Sequence, residues 1–107
     1  MQEIPIQKAP FFTENLLLDG INYRFDFKFD DFKGFWYISI YDYLDNTVIQ
    51  GKRIVLNNRM FQKLTVWLWG FLLAYSEDTT KDDITYEDLT EGKVKLYWIS
   101  PEETVNG

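Results

Sequence analysis

Apolar and polar residues alternate along most of the first half of the chain. In the segment YRFDFKFD, residues 23–30, an aromatic side chain occupies every second position and a charged residue follows each one. Side chains on a β-strand point alternately to opposite faces, whereas a helix would scatter these rings around its circumference. The segment therefore predicts a strand with one aromatic face and one solvated face. Residues 35–42 predict another strand, with Trp36, Ile38 and Ile40 on one face and Tyr37, Ser39 and Tyr41 on the other.

Turn signals separate these runs. Asp19-Gly20 lies between two apolar runs and predicts a two-residue hairpin, because a type I′ turn needs positive φ at both positions. Lys33-Gly34 and Leu44-Asp45-Asn46 predict two further connections. Residues 3–7 predict a short edge or terminal strand, since Pro5 cannot donate to a ladder. The pattern indicates four consecutive antiparallel strands, a meander, before residue 57.

The second half is less regular. Residues 57–69 contain apolar residues at helical spacing and predict one or two helical turns or an ordered loop. FLLAYS, residues 71–76, is apolar on both faces, which favours a central or covered strand. A helical turn is predicted around Tyr86-Glu87-Asp88-Leu89, and KVKLYWIS, residues 93–100, is predicted as the last strand of the domain. We expect one all-β domain, residues 1–107, forming a small, mostly antiparallel barrel or sandwich of about six or seven strands with one short helical turn.

Composition narrows the function classes. The 107 residues include no cysteine and no histidine, which removes disulfides, thiolate chemistry and the commonest general base and metal ligand. A net charge of −6 and a pI of about 4.5 do not suit a nucleic-acid surface or an anionic membrane. We found no secretory signal, and VWLWGFLLAY is about half a membrane span, so no membrane insertion is expected.

Acidic residues suggest two chemical sites, and neither pattern is specific. Asp78, Asp82 and Asp83 could offer oxygen ligands to calcium, but their spacing does not match an EF-hand loop. An acidic surface loop is the favoured interpretation. Asp26 and Asp42 could form a glycosidase carboxylate pair, yet 17 acids in this chain produce such pairs by chance. We therefore expect no enzyme, cofactor or metal site.

Aromatic residues make up 19% of the chain, and two roles are open to them. Five rings in the first half of the chain are expected to form the inner wall of the domain: Tyr23, Phe25, Phe27, Phe29 and Trp36. Exposed rings could instead stack on a carbohydrate. A partner interface is expected at Trp67, Trp69 and Phe71, because both sides of that segment are apolar and a small domain has one core. One of these rings could alternatively close the end of a barrel.

Several short motifs occur in a particular order along nearly the whole chain. It runs from Ile4-Pro5-Ile6 through Leu18-Asp19-Gly20 with Tyr23, Trp36-Tyr37 with Ile40 and Asp42, Gly51 and Gly70 to Asp88-Leu89 with Trp98. This order resembles the small baseplate plug proteins of contractile-tailed phages, the family related to the cyanophage plug protein.

The resemblance implies a structural protein of a phage or phage-like tail baseplate, packed as a plug at the hub and tube end. Its partners would be the baseplate hub and tail-tube proteins. It would be made in the host cytoplasm and located in the virion. The family brings no catalytic residues.

Overall fold

The computed structural model describes residues 2–18, 20–56, 71–78 and 83–99. Within these ranges the chain forms seven strands and one short helix. In chain order they are β1 (Gln2–Glu3), β2 (Phe11–Leu18), β3 (Ile21–Asp30), β4 (Phe35–Tyr41), β5 (Thr47–Arg53), β6 (Phe71–Ser76), α1 (Tyr86–Thr90) and β7 (Val94–Ile99). The predicted helical turns or loop at 57–69 lie outside the described residues.

The predicted meander is confirmed as an antiparallel sheet in the order β2-β3-β4-β5. Leu18 lies opposite Ile21, so β2 and β3 are joined by a two-residue turn, and Gly20 in that turn has a φ of 81°. Glycine adopts this left-handed conformation without steric cost. The Asp-Gly signal therefore predicted the first hairpin correctly, although Asp19 itself lies outside the described residues.

The β3–β4 connection is fixed by a carboxylate. One oxygen of Asp30 accepts hydrogen bonds from the backbone N–H groups of Phe32 and Lys33, at 3.0 and 3.1 Å. The N–H of Gly34, whose φ is 75°, donates to the carbonyl of Asp30 at 2.7 Å. Short acidic side chains stabilise turns in this way, by bonding to backbone groups a few residues ahead.

The other strands form an antiparallel sheet in the order β1-β7-β6. The N-terminal strand lies at an edge of this sheet, as predicted, but it covers Gln2–Glu3 rather than residues 3–7. Among the described strands the apolar FLLAYS segment is not central, because β7 separates it from β1. On its other side, the described residues provide a single parallel bridge, between Leu56 and Ala74. In the described part of this sheet β7 is the strand with neighbours on both sides, and of the two interpretations of FLLAYS the covered strand is the one that agrees with this order.

The core lies between the two sheets and draws on both of them. Its fully buried members include Phe25 and Ile40 from the four-stranded sheet and Leu72 and Leu96 from the three-stranded sheet. Ile4, from the segment after β1, is also buried in this cluster. The arrangement is a sandwich-like all-β fold without a closed barrel among the described strands. No helix in the described ranges has the length and apolar character needed to cross a membrane.

Helix α1 joins the end of the core, where sequence predicted a helical turn. Thr85 is its N-cap, and the hydroxyl of Thr85 and the carboxylate of Asp88 each accept a hydrogen bond from the other's backbone N–H. This capping box satisfies two N–H groups that a helix start leaves unpaired. The indole N–H of Trp36 donates to the carbonyl of Thr85 at 3.1 Å, and Tyr86 stacks on the Trp36 ring. These contacts tie α1 to β4.

Candidate interaction surfaces

The predicted interface residues lie mostly beyond what the structure describes. Trp67 and Trp69 are outside the described residues. Phe71 is the first residue of β6, and its side chain is not described. The assignment of these three residues to a partner interface therefore stays a prediction.

The aromatic row of β3 faces the core, as predicted. Tyr23, Phe25, Phe27 and Trp36 are buried, and Phe29 is partly buried against them. Phe27 stacks on Phe12 of β2, with ring centroids 4.7 Å apart. These rings hold the sheets together and are not available to a ligand.

A second set of rings lies on the outer face of the four-stranded sheet. Phe35, Tyr37 and Tyr41 alternate with the buried residues of β4 and are half-buried. The guanidinium of Arg24 lies 4.1 Å from the Tyr41 ring centroid, and that of Arg53 lies 3.6 Å from the Phe35 centroid. Cations attract the electron-rich face of a ring, so each arginine covers one face of its neighbour.

Acidic side chains hold both arginines in place. Arg24 forms an ion pair with Asp45 at 3.0 Å and lies 3.6 Å from Asp26. Arg53 pairs with Asp83 at 3.0 Å. These pairs are exposed to solvent, so each contributes less than about 1 kcal/mol to stability. Their main effect is to keep the outer face polar around its rings.

Exposed apolar side chains collect at both ends of the four-stranded sheet. At the end with the β2–β3 and β4–β5 turns are Leu17, Ile21, Tyr43 and Leu44. At the opposite end Phe11 is 60% exposed and Phe32 is 98% exposed. Isolated apolar residues are common on protein surfaces, but groups of them at the tips of strands favour contact with another protein.

Strand β2 forms one edge of this sheet, and one of its core-facing residues is charged. Glu14 lies on the core-facing side of β2, in line with the buried Phe12, Leu16 and Leu18. Its Oε2 is enclosed and has no hydrogen-bond partner within the described residues. Burial raises the pKa of Glu14, and a hydrogen bond with Gln7 opposes that rise. Glu14 was not among the residues predicted from the sequence, although the alternation of β2 places its charge on the apolar face.

The two acidic patterns considered in the sequence do not form a common site within the described residues. Asp83 is paired with Arg53, Asp78 donates its N–H to the Ser76 hydroxyl at 3.1 Å, and Asp82 lies outside the described residues. Within the described ranges no group of three or more acidic side chains is arranged to hold a metal ion.

Asp26 and Asp42 have separate structural roles. Asp26 accepts a hydrogen bond from the Thr13 hydroxyl at 2.9 Å. Asp42 closes the β4–β5 turn by accepting from the backbone N–H groups of Asn46 and Leu44 and from the Asn46 side chain. These bonds, the Asn46 backbone bond first, hold the pKa of Asp42 below its usual range despite an opposing contribution from desolvation. The turn bonds therefore stabilise the fold at neutral pH and are lost as the pH falls through that lowered pKa.

An open depression of about 650 Å³ lies at one end of the three-stranded sheet, lined by residues that include Tyr75, Lys95 and Tyr97. The carboxylate of Asp88, also in its lining, accepts a hydrogen bond from the Thr85 N–H in the capping box. Its position and open shape do not indicate a reaction. The features that remain are apolar tips, a ring-bearing outer face and an open strand edge, which are features of an interaction protein.

Comparison with known proteins agrees with this character. Residues 1–102 match the model of a family described as the cyanophage baseplate Pam3 plug gp18. No curated protein matches the chain. The matched family is a structural component of a virion tail baseplate, and a baseplate plug is not an enzyme class. Because the match covers 102 of the 107 residues, the chain belongs to the cyanophage baseplate plug family.

Proposed function

We propose that this structural baseplate protein packs at the hub and tail-tube end of a contractile tail, where it acts as the plug. The match to the plug family over residues 1–102 carries the proposal. The hub and the tail-tube proteins are its proposed partners. The protein is made in the host cytoplasm and enters the particle during assembly.

The surface of the fold supports a role between neighbours. Apolar side chains are exposed at both ends of the four-stranded sheet, with Leu17 and Leu44 at one end and Phe32 at the other. Covering a large apolar side chain stabilises a complex by roughly 1.5 to 3 kcal/mol, so a few of them can anchor a small subunit. A protein with two such ends can contact two partners at once.

Cross-linking of purified particles, followed by mass spectrometry, tests the placement. We expect the protein in the particles, with cross-links from Lys33 near one sheet end to a hub or tube protein. Lys95 on β7 and Lys93 just before that strand provide an internal comparison. Absence of the protein from particles contradicts the baseplate role, and cross-links confined to fibre or sheath proteins contradict the hub and tube placement.

The alternative, a free-standing carbohydrate-binding module, receives less support from the outer face. A sugar stacks on the open face of an aromatic ring, and guanidinium groups already lie over Phe35 and Tyr41. Binding to a panel of polysaccharides that is abolished by Tyr37→Ala would favour the alternative. The structural role predicts no such binding.

We also propose that Trp67, Trp69 and Phe71 form part of the partner-facing surface. The reason is their sequence pattern: the segment is apolar on both sides, and the single core of a small domain can bury only one of those sides. Trp67→Ala and Trp69→Ala, made separately, should leave the melting of the isolated protein nearly unchanged and lower its incorporation into particles. Destabilisation of the isolated protein by about 3 to 5 kcal/mol in both variants would assign the rings to the core.

Finally, we propose that residues 1–107 fold as one domain without catalytic activity. Both sheets contribute to one buried cluster, which favours a single cooperative unit. Thermal unfolding followed by calorimetry and by tryptophan fluorescence should give one transition with coincident midpoints. Two separate transitions contradict the single domain.

A further inference from the structure

Backbone groups along the outer side of β2 point away from its only strand neighbour in the described residues. The Phe29 N–H donates to the Pro10 carbonyl at 2.7 Å, which identifies the hydrogen-bonded pairs of the β2–β3 ladder. In antiparallel strands such pairs alternate with pairs that form no bond to each other. Even-numbered residues of β2 therefore bond to β3, and odd-numbered residues direct their N–H and C=O groups outward.

One side-chain contact agrees with this assignment. The Gln7 amide donates to the carbonyl of Thr13, an odd-numbered residue, at 3.4 Å. Within the described residues, this is the one hydrogen bond that an outward carbonyl of β2 accepts. The outward positions of β2 are Phe11, Thr13, Asn15 and Leu17, and an added strand would replace the Gln7 bond at Thr13.

The sequence of β2 lacks most of the features that protect a strand edge. Its eight residues, FFTENLLL, contain no proline, lysine or arginine, and their pairing with β3 runs without a bulge. Proteins commonly protect an edge with those residues or with a bulge. The opposite edge, β5, has irregular pairing with β4 and carries Lys52 and Arg53. β2 is the edge of this sheet that is regular enough to pair.

Glu14 restricts which strand can pair there. Its backbone bonds to β3, so an added antiparallel strand would meet Glu14 in a pair without hydrogen bonds, where side chains lie closest. The enclosed Oε2 has no hydrogen-bond partner in the described residues. An inward charge on an edge deters apolar strands. A strand with a cation at that position would give Oε2 a partner, in addition to the hydrogen bond that the Glu14 side chain forms with Gln7.

We infer that β2 receives an extended segment of a neighbouring baseplate subunit as an added strand, with a lysine or arginine of that segment beside Glu14. This inference rests on the proposed function. Outward backbone groups supply the hydrogen bonds of the new ladder, and the exposed side chains of Phe11 and Leu17 pack on apolar residues of the segment. Strand addition of this kind combines main-chain affinity with specificity from alternate side chains.

A second copy of this chain fits the edge less well. It would present β2, which has no cation to pair with Glu14, and it would bring together two chains of net charge −6. Charge complementarity therefore favours a different, cationic segment.

Hydrogen exchange tests the inference on the wild-type protein. In the isolated protein, the amides of Thr13, Asn15 and Leu17 should exchange fast, and those of Phe12, Glu14 and Leu16 should exchange slowly. In purified particles, exchange over residues 11–18 should slow by roughly a hundredfold or more, because a laddered amide exchanges only when the structure opens. Slow exchange of the odd-numbered amides in the isolated monomer shows that another part of this chain covers β2. Slowing that increases with the protein's own concentration indicates a second copy. Either result overturns the inference.

Two variants test it by particle incorporation. Asn15→Pro removes an outward N–H without removing a bond to β3, and Asn15→Ala is its matched control because it keeps the N–H. We expect incorporation to fall at least about tenfold for Asn15→Pro and to stay unchanged for Asn15→Ala; one lost interaction of about 1.4 kcal/mol corresponds to a factor of ten. Circular dichroism of the isolated variants shows whether each still folds.

Glu14→Lys provides a test that keeps the backbone intact, since it places like charges side by side. It should lower incorporation more than Glu14→Gln. Fast exchange along β2 in wild-type protein within particles overturns the added strand. Normal incorporation of both Asn15→Pro and Glu14→Lys also overturns it. Neither result contradicts the baseplate role. Absence of the wild-type protein from particles overturns both.

Discussion

The inner and outer faces of the four-stranded sheet both carry aromatic rings, and the neighbours of those rings differ. On the inner face Phe25 and Phe27 are completely buried among other apolar side chains. On the outer face Phe35 and Tyr41 are half-buried, and each is covered by a guanidinium. One strand, β4, supplies rings to both faces, so residue type alone does not determine what a ring does.

The difference separates stability from interaction. Inner rings exclude water from both sides, and their burial is a main source of the fold's stability. Outer rings keep part of their surface exposed, and the ion pairs of Arg24 and Arg53 keep the surrounding face polar. A subunit of a large assembly needs both kinds of face, because it must fold alone and then contact its neighbours.

The largest difference between the faces is expected from truncating a ring on each. Phe25→Ala should destabilise the isolated protein by about 3 to 5 kcal/mol, because the site is fully enclosed and its neighbours cannot collapse into the space. Tyr37→Ala on the outer face is the control and should cost roughly 1 kcal/mol or less. Chemical denaturation followed by fluorescence measures both. Similar losses for the two variants would show that the outer face also contributes to the core.

Sequence patterning predicted the inner face well, for a physical reason. Side chains alternate with a period of two, so the row from Tyr23 to Phe29 identifies one face without any knowledge of the strand's neighbours. The Asp-Gly turn then fixes the register of β2 and β3. The order of the second sheet could not be obtained in this way, because β6 and β7 pair over a long separation that no local signal encodes. The position of β6 beside β7 and away from β1 depends on that long-range pairing.

Trp36→Phe tests the contribution of a polar contact made by a ring on the inner face. The substitution keeps an aromatic ring and removes the indole N–H that donates to the Thr85 carbonyl. Thr85 is exposed and the bond is only partly buried, so loss of this hydrogen bond costs about 0.5 to 1.5 kcal/mol. We expect a loss in this range, with faster amide exchange in α1 than in β3. An equal increase in exchange throughout the sheet would mean that the bond does not specifically anchor α1.

Glu14 is the position where the inner face carries a charge, and its effect depends on pH. Its pKa is raised in the folded state, so the folded protein binds this proton more tightly than the unfolded chain does. The ionised carboxylate therefore destabilises the fold above the raised pKa, and this penalty disappears as the pH falls below the unfolded value of about 4.3. Glu14→Gln should stabilise the isolated protein at pH 7 by about 1 kcal/mol or less, since the side chain is only half-buried.

The measurement is the free energy of unfolding of both proteins between pH 4 and pH 8. The advantage of Glu14→Gln should shrink toward zero at the acidic end. Asp26→Asn is a matched control on the outer face of the neighbouring strand. A constant difference between Glu14→Gln and wild type across this range would exclude ionisation of Glu14 as the cause.

The candidate surfaces were harder to predict than the core, because they depend on contacts between strands. Arg24 reaches Tyr41 since these residues lie opposite each other on β3 and β4, a register set by the β3–β4 turn. The edge position of β2 follows from the order of the whole sheet. By contrast, the charge of Glu14 within an apolar alternation was visible in the sequence, and its meaning became clear only with that edge position.

The smallest expected effect comes from the outer face itself. A double-mutant cycle with Arg24→Met and Tyr41→Leu should give a coupling of about 0.5 kcal/mol, the size of a solvent-exposed cation–π contact. Arg24 also pairs with Asp45, so the cycle is needed to separate the ring contact from the ion pair.

A parallel cycle of Arg24→Met with Asp45→Asn is the control. Its coupling should decline when salt is raised from 0.1 to 1 M, because exposed charges are screened. The ring coupling should decline less, since its apolar part does not depend on ionic strength. No coupling between Arg24 and Tyr41 would mean that the guanidinium rests on the ring without stabilising it. The outer rings would then be held only by their own strands, and an incoming partner could displace the arginines at no cost.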